Sequence, residues 1–154
     1  MEMPQPGPEH ARLARFAGKW SGEEKMHPSP WEPQGCTAAA SMQSRVACDG
    51  FWVVGDYEQR RDGVVCFRGH SVLGYDQQAG EVTLHWFDSM GIGAEVFRGK
   101  FLGDALVVTC KNPMGFHRLT YDLRDANTLC ARMETAQDAK TWSPMFDGVY
   151  QRES

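Results

Sequence analysis

The sequence lacks the features that mark a membrane protein, a nucleic-acid-binding protein or a secreted protein. Its longest apolar runs are only a few residues, such as Phe51–Val54, so no segment is long enough to cross a bilayer as a helix. There is no Lys/Arg run, and 16 basic against 20 acidic residues give a net charge of −4. The opening residues, MEMPQPGPEH, have neither the basic nor the apolar region of a signal peptide. We therefore expect a cytoplasmic protein whose partner is neither nucleic acid nor a membrane.

Motifs of common catalytic and metal sites are also missing. The 5 cysteines contain no C-x-x-C pair, which excludes zinc-ribbon and thioredoxin-like sites. Neither a Gly-rich phosphate loop nor a G-x-S-x-G, H-x-H or H-E-x-x-H motif occurs. In a reducing compartment, buried and inert thiols are the expected state of these cysteines. No metal site and no cofactor are predicted from motifs.

What is present is a chain suited to one domain with a real core. It has 154 residues, of which 42% are hydrophobic and 23% charged. Residues 1–7 are predicted to be a mobile, proline-containing lead, and residues 8–154 a single domain. A short helix is expected over 8–16, because Pro8 suits a first helical turn and Leu13 and Phe16 lie three apart.

From Gly18 onward, period-two alternation between frequent turn residues predicts an all-β fold. Short connections between consecutive strands make an antiparallel up-and-down meander, and about ten twisted strands close into a barrel that removes the sheet edges. We expect a barrel like that of lipocalins or fatty-acid-binding proteins. The predicted strands are 18–26, 38–47, 51–60, 64–74, 81–89, 94–101, 105–111, 116–123, 128–135 and 145–152.

Segment 27–35, HPSPWEPQG, is too rich in proline for a strand interior. It is predicted to form a flap over one barrel end, with His27 and Trp31 as a lid beside Met90 and Met114.

The length of each hairpin turn fixes which residues of the two strands share a face, so the inward residues can be followed from one strand to the next. A two-residue turn at Asp49-Gly50 places Tyr57 inside the barrel, and four-residue turns at 60–63 and 77–80 carry that face onward. A single β-bulge in any of these hairpins would reverse the face beyond it. The predicted ligand-binding residues are Tyr57, Arg68, His70, His85, Phe87, Met90, His117 and Tyr121.

The opposite face of the same strands is unusually aromatic for a surface exposed to water. It carries Trp52, Phe67, Leu84 and Trp86. A monomer would leave this strip wet, so we predict a homodimer that covers it.

Several blocks of the sequence resemble a known family. They are GKWSGEEKMHPSPWEPQG, DGFWVVGDYEQ, FRGHSVLGYD, LHWFDSMG, FRGKF and RMETAQD. Together they resemble a family of bacterial proteins catalogued as domain of unknown function 1579, over about Pro8 to Arg152. The resemblance implies a lipocalin-like (calycin) barrel, a group that includes fatty-acid binders and haem-binding nitrobindins. It implies no catalytic residues. The run Gly18-Lys-Trp20 is similar to the G-x-W at the base of lipocalin barrels, which makes Trp20 a structural plug.

The leading functional hypothesis is binding of a small, partly apolar, anionic molecule. An unpaired guanidinium inside a barrel is costly, so an inward Arg68 calls for an anionic ligand, with Tyr57, His70 and His85 beside it.

Three alternatives use the same strands differently. In an enzyme of the isomerase, cyclase or hydratase type, His70 or His85 would move a proton while Arg68 stabilises an oxyanion. In a metal-binding barrel, the two histidines would share a divalent ion, with His117, His27 or a carboxylate as a third ligand. In a haem-binding barrel, one histidine would ligate haem and Arg68 would pair a propionate. In a structural dimeric barrel there would be no ligand. Asp88 is expected to cap a turn rather than to act as a general base.

Overall fold

The computed structural model describes residues 1–153 and shows a closed barrel of ten antiparallel strands preceded by one short helix. Helix α1 spans Pro8–Ala14, and a single 3-10 turn spans Cys48–Gly50. The strands are β1 Gly18–Met26, β2 Cys36–Ala47, β3 Trp52–Arg61, β4 Val64–Asp76, β5 Glu81–Asp88, β6 Glu95–Leu102, β7 Ala105–Asn112, β8 Gly115–Asp125, β9 Thr128–Ala136 and β10 Ser143–Arg152.

Each strand pairs with its neighbours in sequence, and β1 pairs with β10 to close the sheet. The predicted all-β up-and-down barrel with a short N-terminal helix is therefore confirmed. Strand ends differ from prediction by at most two residues, and α1 ends at Ala14 rather than at residue 16. No helix among residues 1–153 is long and apolar enough to cross a membrane. The mobility of residues 1–7 stays a prediction, and Ser154 lies outside the described residues.

The hairpin between β3 and β4 does not have the predicted turn. Its turn has only two residues, Asp62 and Gly63, with φ values of 53° and 77°, as a tight primed turn requires. The pairing then shifts, because Arg60 faces Val65 whereas Gln59 faces Phe67. Cys66 is thus an extra residue in β4, a β-bulge. A two-residue turn without this bulge would have kept the predicted face, so Cys66 is what reverses it.

One end of the barrel, called the base below, is closed by α1 and Trp20. Leu13 and Phe16 are buried at this end, and the Phe16 ring lies 6.4 Å from Phe101 and 5.8 Å from Tyr121. Trp20 is 1% exposed, and its Nε1 donates to the Phe16 carbonyl at 3.0 Å. The predicted burial of Trp20 at a barrel end is seen.

Arg152, at the end of the C-terminal strand β10, stabilises the base from the outer side of the barrel. The Arg152 guanidinium lies 4.2 Å from the centre of the Trp20 ring and donates to the carbonyls of Ala17, Arg15 and Ala126. The opposite end, called the mouth below, carries the loops 27–35, 62–63, 89–94, 113–114 and 137–142.

Candidate functional site

The barrel encloses a cavity of about 440 Å³. Its lining runs from Phe16, Trp20 and Leu129 at the base to Arg61 and Met145 at the mouth. Met145 is 41% exposed, so the cavity reaches the surface there. Most lining side chains are apolar or aromatic, and the volume lies in the range of small-molecule pockets. The interior is therefore not filled by the protein's own side chains.

An aromatic cluster forms one wall of the cavity. The Tyr57 ring lies 6.2 Å from Phe67 and 5.9 Å from Trp86, both edge-to-face. Gly69 makes this possible, since a Cβ there would lie 2.2 Å from the Trp86 ring. The mirror case occurs on the outer surface, where a Cβ at Gly74 would lie 2.2 Å from Trp52. Each glycine lets one tryptophan lie flat on the sheet.

A buried carboxyl group sits on the wall formed by β1, β3 and β10. Glu24 has no exposed surface and accepts hydrogen bonds from the hydroxyls of Tyr57 and Tyr150, each at 2.5 Å. The Gln59 amide also donates to it, at 2.8 Å. Acting as acceptor in all three contacts is the pattern of an ionised carboxylate.

Burial and the charge of Glu24 hold the surrounding tyrosines in their neutral form. Burial first, and Glu24 second, raise the pKa of Tyr57 and of Tyr150 well above the ordinary value. The same two causes raise the pKa of Tyr121 to about 12. All three phenols therefore stay protonated at neutral pH.

Sequence reasoning missed Glu24, although the signal was present. Trp20, Gly22 and Glu24 share one strand face by simple alternation, so an inward Trp20 also implies an inward Glu24.

Two polar atoms near the mouth are buried without a partner. Within residues 1–153, neither Arg61 Nε nor His117 Nε2 forms a hydrogen bond, and both side chains line the cavity. Buried polar groups are almost always satisfied, so each unsatisfied one calls for an explanation. The Arg61 charge itself is paired, because its guanidinium binds the Glu32 carboxylate of the 27–35 loop.

Asp88 and Glu95 bring two further carboxyl groups to the mouth end of the cavity. Asp88 accepts from Trp86 Nε1 at 2.8 Å and from the Met90 amide at 2.9 Å. The prediction that Asp88 caps a turn is thus confirmed. Glu95 accepts from the Asn112 side-chain amide at 3.0 Å.

Three of the predicted ligand-binding residues line the cavity: Tyr57, His117 and Tyr121. Two others do not, because the Cys66 bulge reverses β4. The Arg68 side chain is 66% exposed and lies beside Glu58, and His70 Nδ1 lies 2.9 Å from Asp56 Oδ1 on the outer surface. The inward orientation predicted for them was wrong. Exposed cross-strand pairs of this kind contribute little to stability.

The same reversal extends to β5, because the hairpin at 77–80 has the predicted length. Leu84 and Trp86 line the cavity, so the alternating His85 and Phe87 face outward. Their predicted inward orientation was also wrong. The Phe87 ring packs 6.4 Å from His70, and Met90 is exposed in the turn after β5.

The 27–35 segment is a strap along the rim rather than a lid with Trp31 packed inward. Trp31 is 89% exposed, so its predicted packing over the mouth was wrong. His27 Nε2 lies 2.6 Å from Asp147 Oδ2, and the Glu32–Arg61 pair holds the middle of the segment. Burial alone would raise the pKa of Asp147, but hydrogen bonds from His27 and Arg132 outweigh it and lower that pKa.

The aromatic strip predicted to pair subunits is not on the outer surface. Phe67, Leu84 and Trp86 line the cavity, and Trp52 alone of the four lies outside, over Gly74. The homodimer therefore loses the observation that motivated it and stays a prediction.

The residues present do not fit the metal alternative, nor a haem ligated by His70 or His85. His70 and His85 lie outside the cavity, and no group of three His, Cys, Asp or Glu side chains within residues 1–153 is arranged to hold an ion. Arg68, which was predicted to pair a haem propionate, is also exposed on the outer surface. Inside, Arg61 is already paired with Glu32.

The structure thus defines a closed, ten-stranded antiparallel barrel with an internal, mostly apolar cavity that opens at one end. The chain belongs to the family of proteins of unknown function DUF1579, whose model matches residues 5–152, so the predicted family is confirmed. The fold is similar to the crystal structure of Rv2717c from M. tuberculosis, with a TM-score of 0.72, 15% identity, and coverage of 96% of this chain and 99% of that one.

It is also similar to the S-type phycobiliprotein lyase CPES from Guillardia theta, with a TM-score of 0.64, 9% identity, and coverage of 98% and 99%. At these identities the similarity concerns the fold alone. The sequence matches no curated protein at a significant level.

Proposed function

We propose that this protein binds a small, largely apolar molecule inside the barrel cavity. The observation that carries the proposal is the cavity of about 440 Å³, lined by side chains such as Trp86, Phe97 and Leu119. The unpartnered His117 Nε2 in its wall supports a ligand that also carries a hydrogen-bonding group. The similarity of fold to a protein named as a phycobiliprotein lyase is consistent with handling a small ligand.

Apolar burial supplies most of the binding free energy in such a site. Each methylene group removed from water gains roughly 0.8 kcal/mol, so eight to ten of them gain roughly 6–8 kcal/mol before the cost of association. Micromolar affinity corresponds to about 8 kcal/mol, and the polar contact at His117 adds orientation as well as affinity.

Two predictions from the sequence, an anionic ligand and an enzymatic role, depend on residues that lie outside the cavity. The anionic character of the ligand was inferred from Arg68, His70 and His85, which lie outside the cavity. The enzymatic roles given to the same three residues fail for the same reason, because outer-surface side chains do not touch a molecule held inside.

The test uses N-phenylnaphthylamine, an uncharged fluorescent probe whose emission rises in apolar surroundings. We expect saturable binding at one probe per chain. Ala131→Phe fills the cavity from β9 and should abolish the signal, because Ala131 is buried and lines the cavity. Val149→Phe, an outward-facing position on the neighbouring strand, is the matched control and should bind as the wild type does.

Circular dichroism and a melting curve establish that each variant is folded, and Ser71→Phe is a second cavity-filling variant in case Ala131→Phe is not. Absence of saturable probe binding to the wild type would overturn the proposed function. So would equal binding to the folded cavity-filled variants, since the probe would then occupy another surface.

A further inference from the structure

Three carboxyl groups line the cavity without a cationic partner. They come from β1, from the end of β5 and from the start of β6: Glu24, Asp88 and Glu95. Within residues 1–153, none of the three forms a salt bridge with Lys, Arg or His. All their hydrogen-bond donors are neutral: phenols, carboxamides, an indole and a backbone amide.

No positive charge in the lining balances these groups. Arg61 is the one Lys or Arg of the described lining, and its charge is paired with Glu32. Asp56 also borders the cavity, but its carboxylate is exposed and paired with His70 on the outer surface. The cavity therefore carries an excess of negative charge.

Glu24 differs from Asp88 and Glu95 in how many of its acceptor positions are already occupied. Glu24 is saturated by Tyr57, Tyr150 and Gln59, so it contributes a field inside the barrel and has no free site for a direct contact. Asp88 and Glu95 each hold one or two neutral donors and keep acceptor positions free. Their strands are neighbours, with Trp86 of β5 opposite Glu95 of β6. These two carboxylates can therefore act on one bound group.

Carboxylates that lack a counter-ion and line a mostly apolar cavity attract a cation and repel an anion. We infer that the ligand of this cavity is a cationic amphiphile, an amine or amidinium on an apolar body. Its charged group lies at the mouth between Asp88 and Glu95, and its apolar body extends past Trp86 towards Phe97 and Leu119. His117, which also lines the cavity, forms one hydrogen bond with the same end of the ligand through its unpartnered Nε2. The inference rests on the proposed binding function.

The test compares three ligands of one chain length: dodecylamine, dodecanol and dodecanoate, each displacing N-phenylnaphthylamine below its micelle concentration. At neutral pH the first is cationic, the second neutral and the third anionic. We expect dodecylamine to bind at least about tenfold more tightly than dodecanoate, with dodecanol between them.

The double variant Asp88→Asn with Glu95→Gln should bring the affinities of amine and carboxylate to within about threefold of each other, while dodecanol binding changes little. The charge-matched control is Glu58→Gln with Glu134→Gln, which removes two carboxylates whose ion pairs lie outside the cavity. It changes the net charge by the same amount but leaves Asp88 and Glu95 in place. It should therefore keep the preference for the amine.

Equal or tighter binding of dodecanoate would overturn the inference and leave the proposed function standing, since both ligands would still enter the cavity. A preference for the amine that survives in the Asp88/Glu95 variant would also overturn it. Failure of the wild type to bind N-phenylnaphthylamine is a different result, and it strikes the proposed function itself.

Discussion

The two ends of this barrel are built in opposite ways. At the base, the polar groups are hydrogen-bonded within the protein. Trp20 Nε1 donates to the Phe16 carbonyl, and Arg152 donates to three carbonyls while it covers the Trp20 ring. At the mouth, Arg61 Nε and His117 Nε2 have no partner within residues 1–153, and Asp88 and Glu95 have no counter-ion there. The satisfied groups at the base stabilise the fold, whereas the open groups at the mouth are the ones on which the proposed binding depends.

The largest effect is expected from a tryptophan at the base. Trp20→Ala should lower the free energy of unfolding by about 3–5 kcal/mol, because it removes a fully buried aromatic side chain and its hydrogen bond. Trp31→Ala at the mouth is the matched control and should change it by less than about 0.5 kcal/mol, since Trp31 is exposed. Urea denaturation of both variants makes the comparison. Similar losses at the two positions would mean that the ends do not differ as described.

The next effect concerns the buried carboxyl group of Glu24. Tyr150→Phe should lower the free energy of unfolding by about 1.5–3 kcal/mol, because it removes the donor to Glu24 Oε2. Tyr121→Phe is the control, since the Tyr121 hydroxyl makes no side-chain hydrogen bond within residues 1–153 and its partly buried ring lines the same cavity. Its unfolding should change by less than about 0.5 kcal/mol. Thermal melts of the pair measure the contrast, and equal losses would contradict the role given to Glu24.

Two glycines of β4 test the two faces of that strand, because Gly69 packs against Trp86 in the cavity and Gly74 packs against Trp52 on the outer surface. Gly69→Ala and Gly74→Ala should each cost about 1–3 kcal/mol, because each Cβ would lie 2.2 Å from a tryptophan ring. Only Gly69→Ala displaces Trp86 from the cavity wall, so it alone should weaken binding of N-phenylnaphthylamine. Probe titrations of the two variants decide this. Equal loss of binding, or loss in Gly74→Ala alone, would mean that the orientation of β4 is wrong.

The smallest effect is expected at the rim strap. Asp147→Asn should lower the free energy of unfolding by about 0.5–1 kcal/mol at neutral pH, because Asp147 pairs with His27 and Arg132 in a partly exposed site. The folded-state pKa of Asp147 is lowered, so its contribution is present above the unfolded value of about 3.9 and is lost as the pH falls through the folded pKa. Denaturation at neutral and strongly acidic pH should show the difference between wild type and variant disappearing in acid. A difference that grows in acid would contradict the assignment.

Sequence patterns predicted the fold well because turn chemistry marks strand ends directly. Turns such as Gly103-Asp104 separate strands whose ends were predicted to within two residues, and the inward residues predicted on β8, His117 and Tyr121, do line the cavity. The helix was predicted from Pro8 and the spacing of Leu13 and Phe16, which are indeed buried at the base.

The site was harder to predict because one bulge decides the orientation of two strands. The run Val64-Val65-Cys66-Phe67 is apolar at every position, so its alternation does not show which residues face inward. The misplaced aromatic strip was itself a signal, since Phe67 and Trp86 are costly to leave in water.

The central claim is that a ligand meets the face of the barrel that carries His117 and not the face that carries His70 and His85. The most direct measurement is NMR of the histidine side chains, with the 5 imidazoles assigned by single His→Gln variants, as dodecylamine is added. The account predicts saturating shifts of the His117 signals at one ligand per chain, with His70 and His85 unchanged. Shifts of His70 and His85 with an unchanged His117 would contradict it.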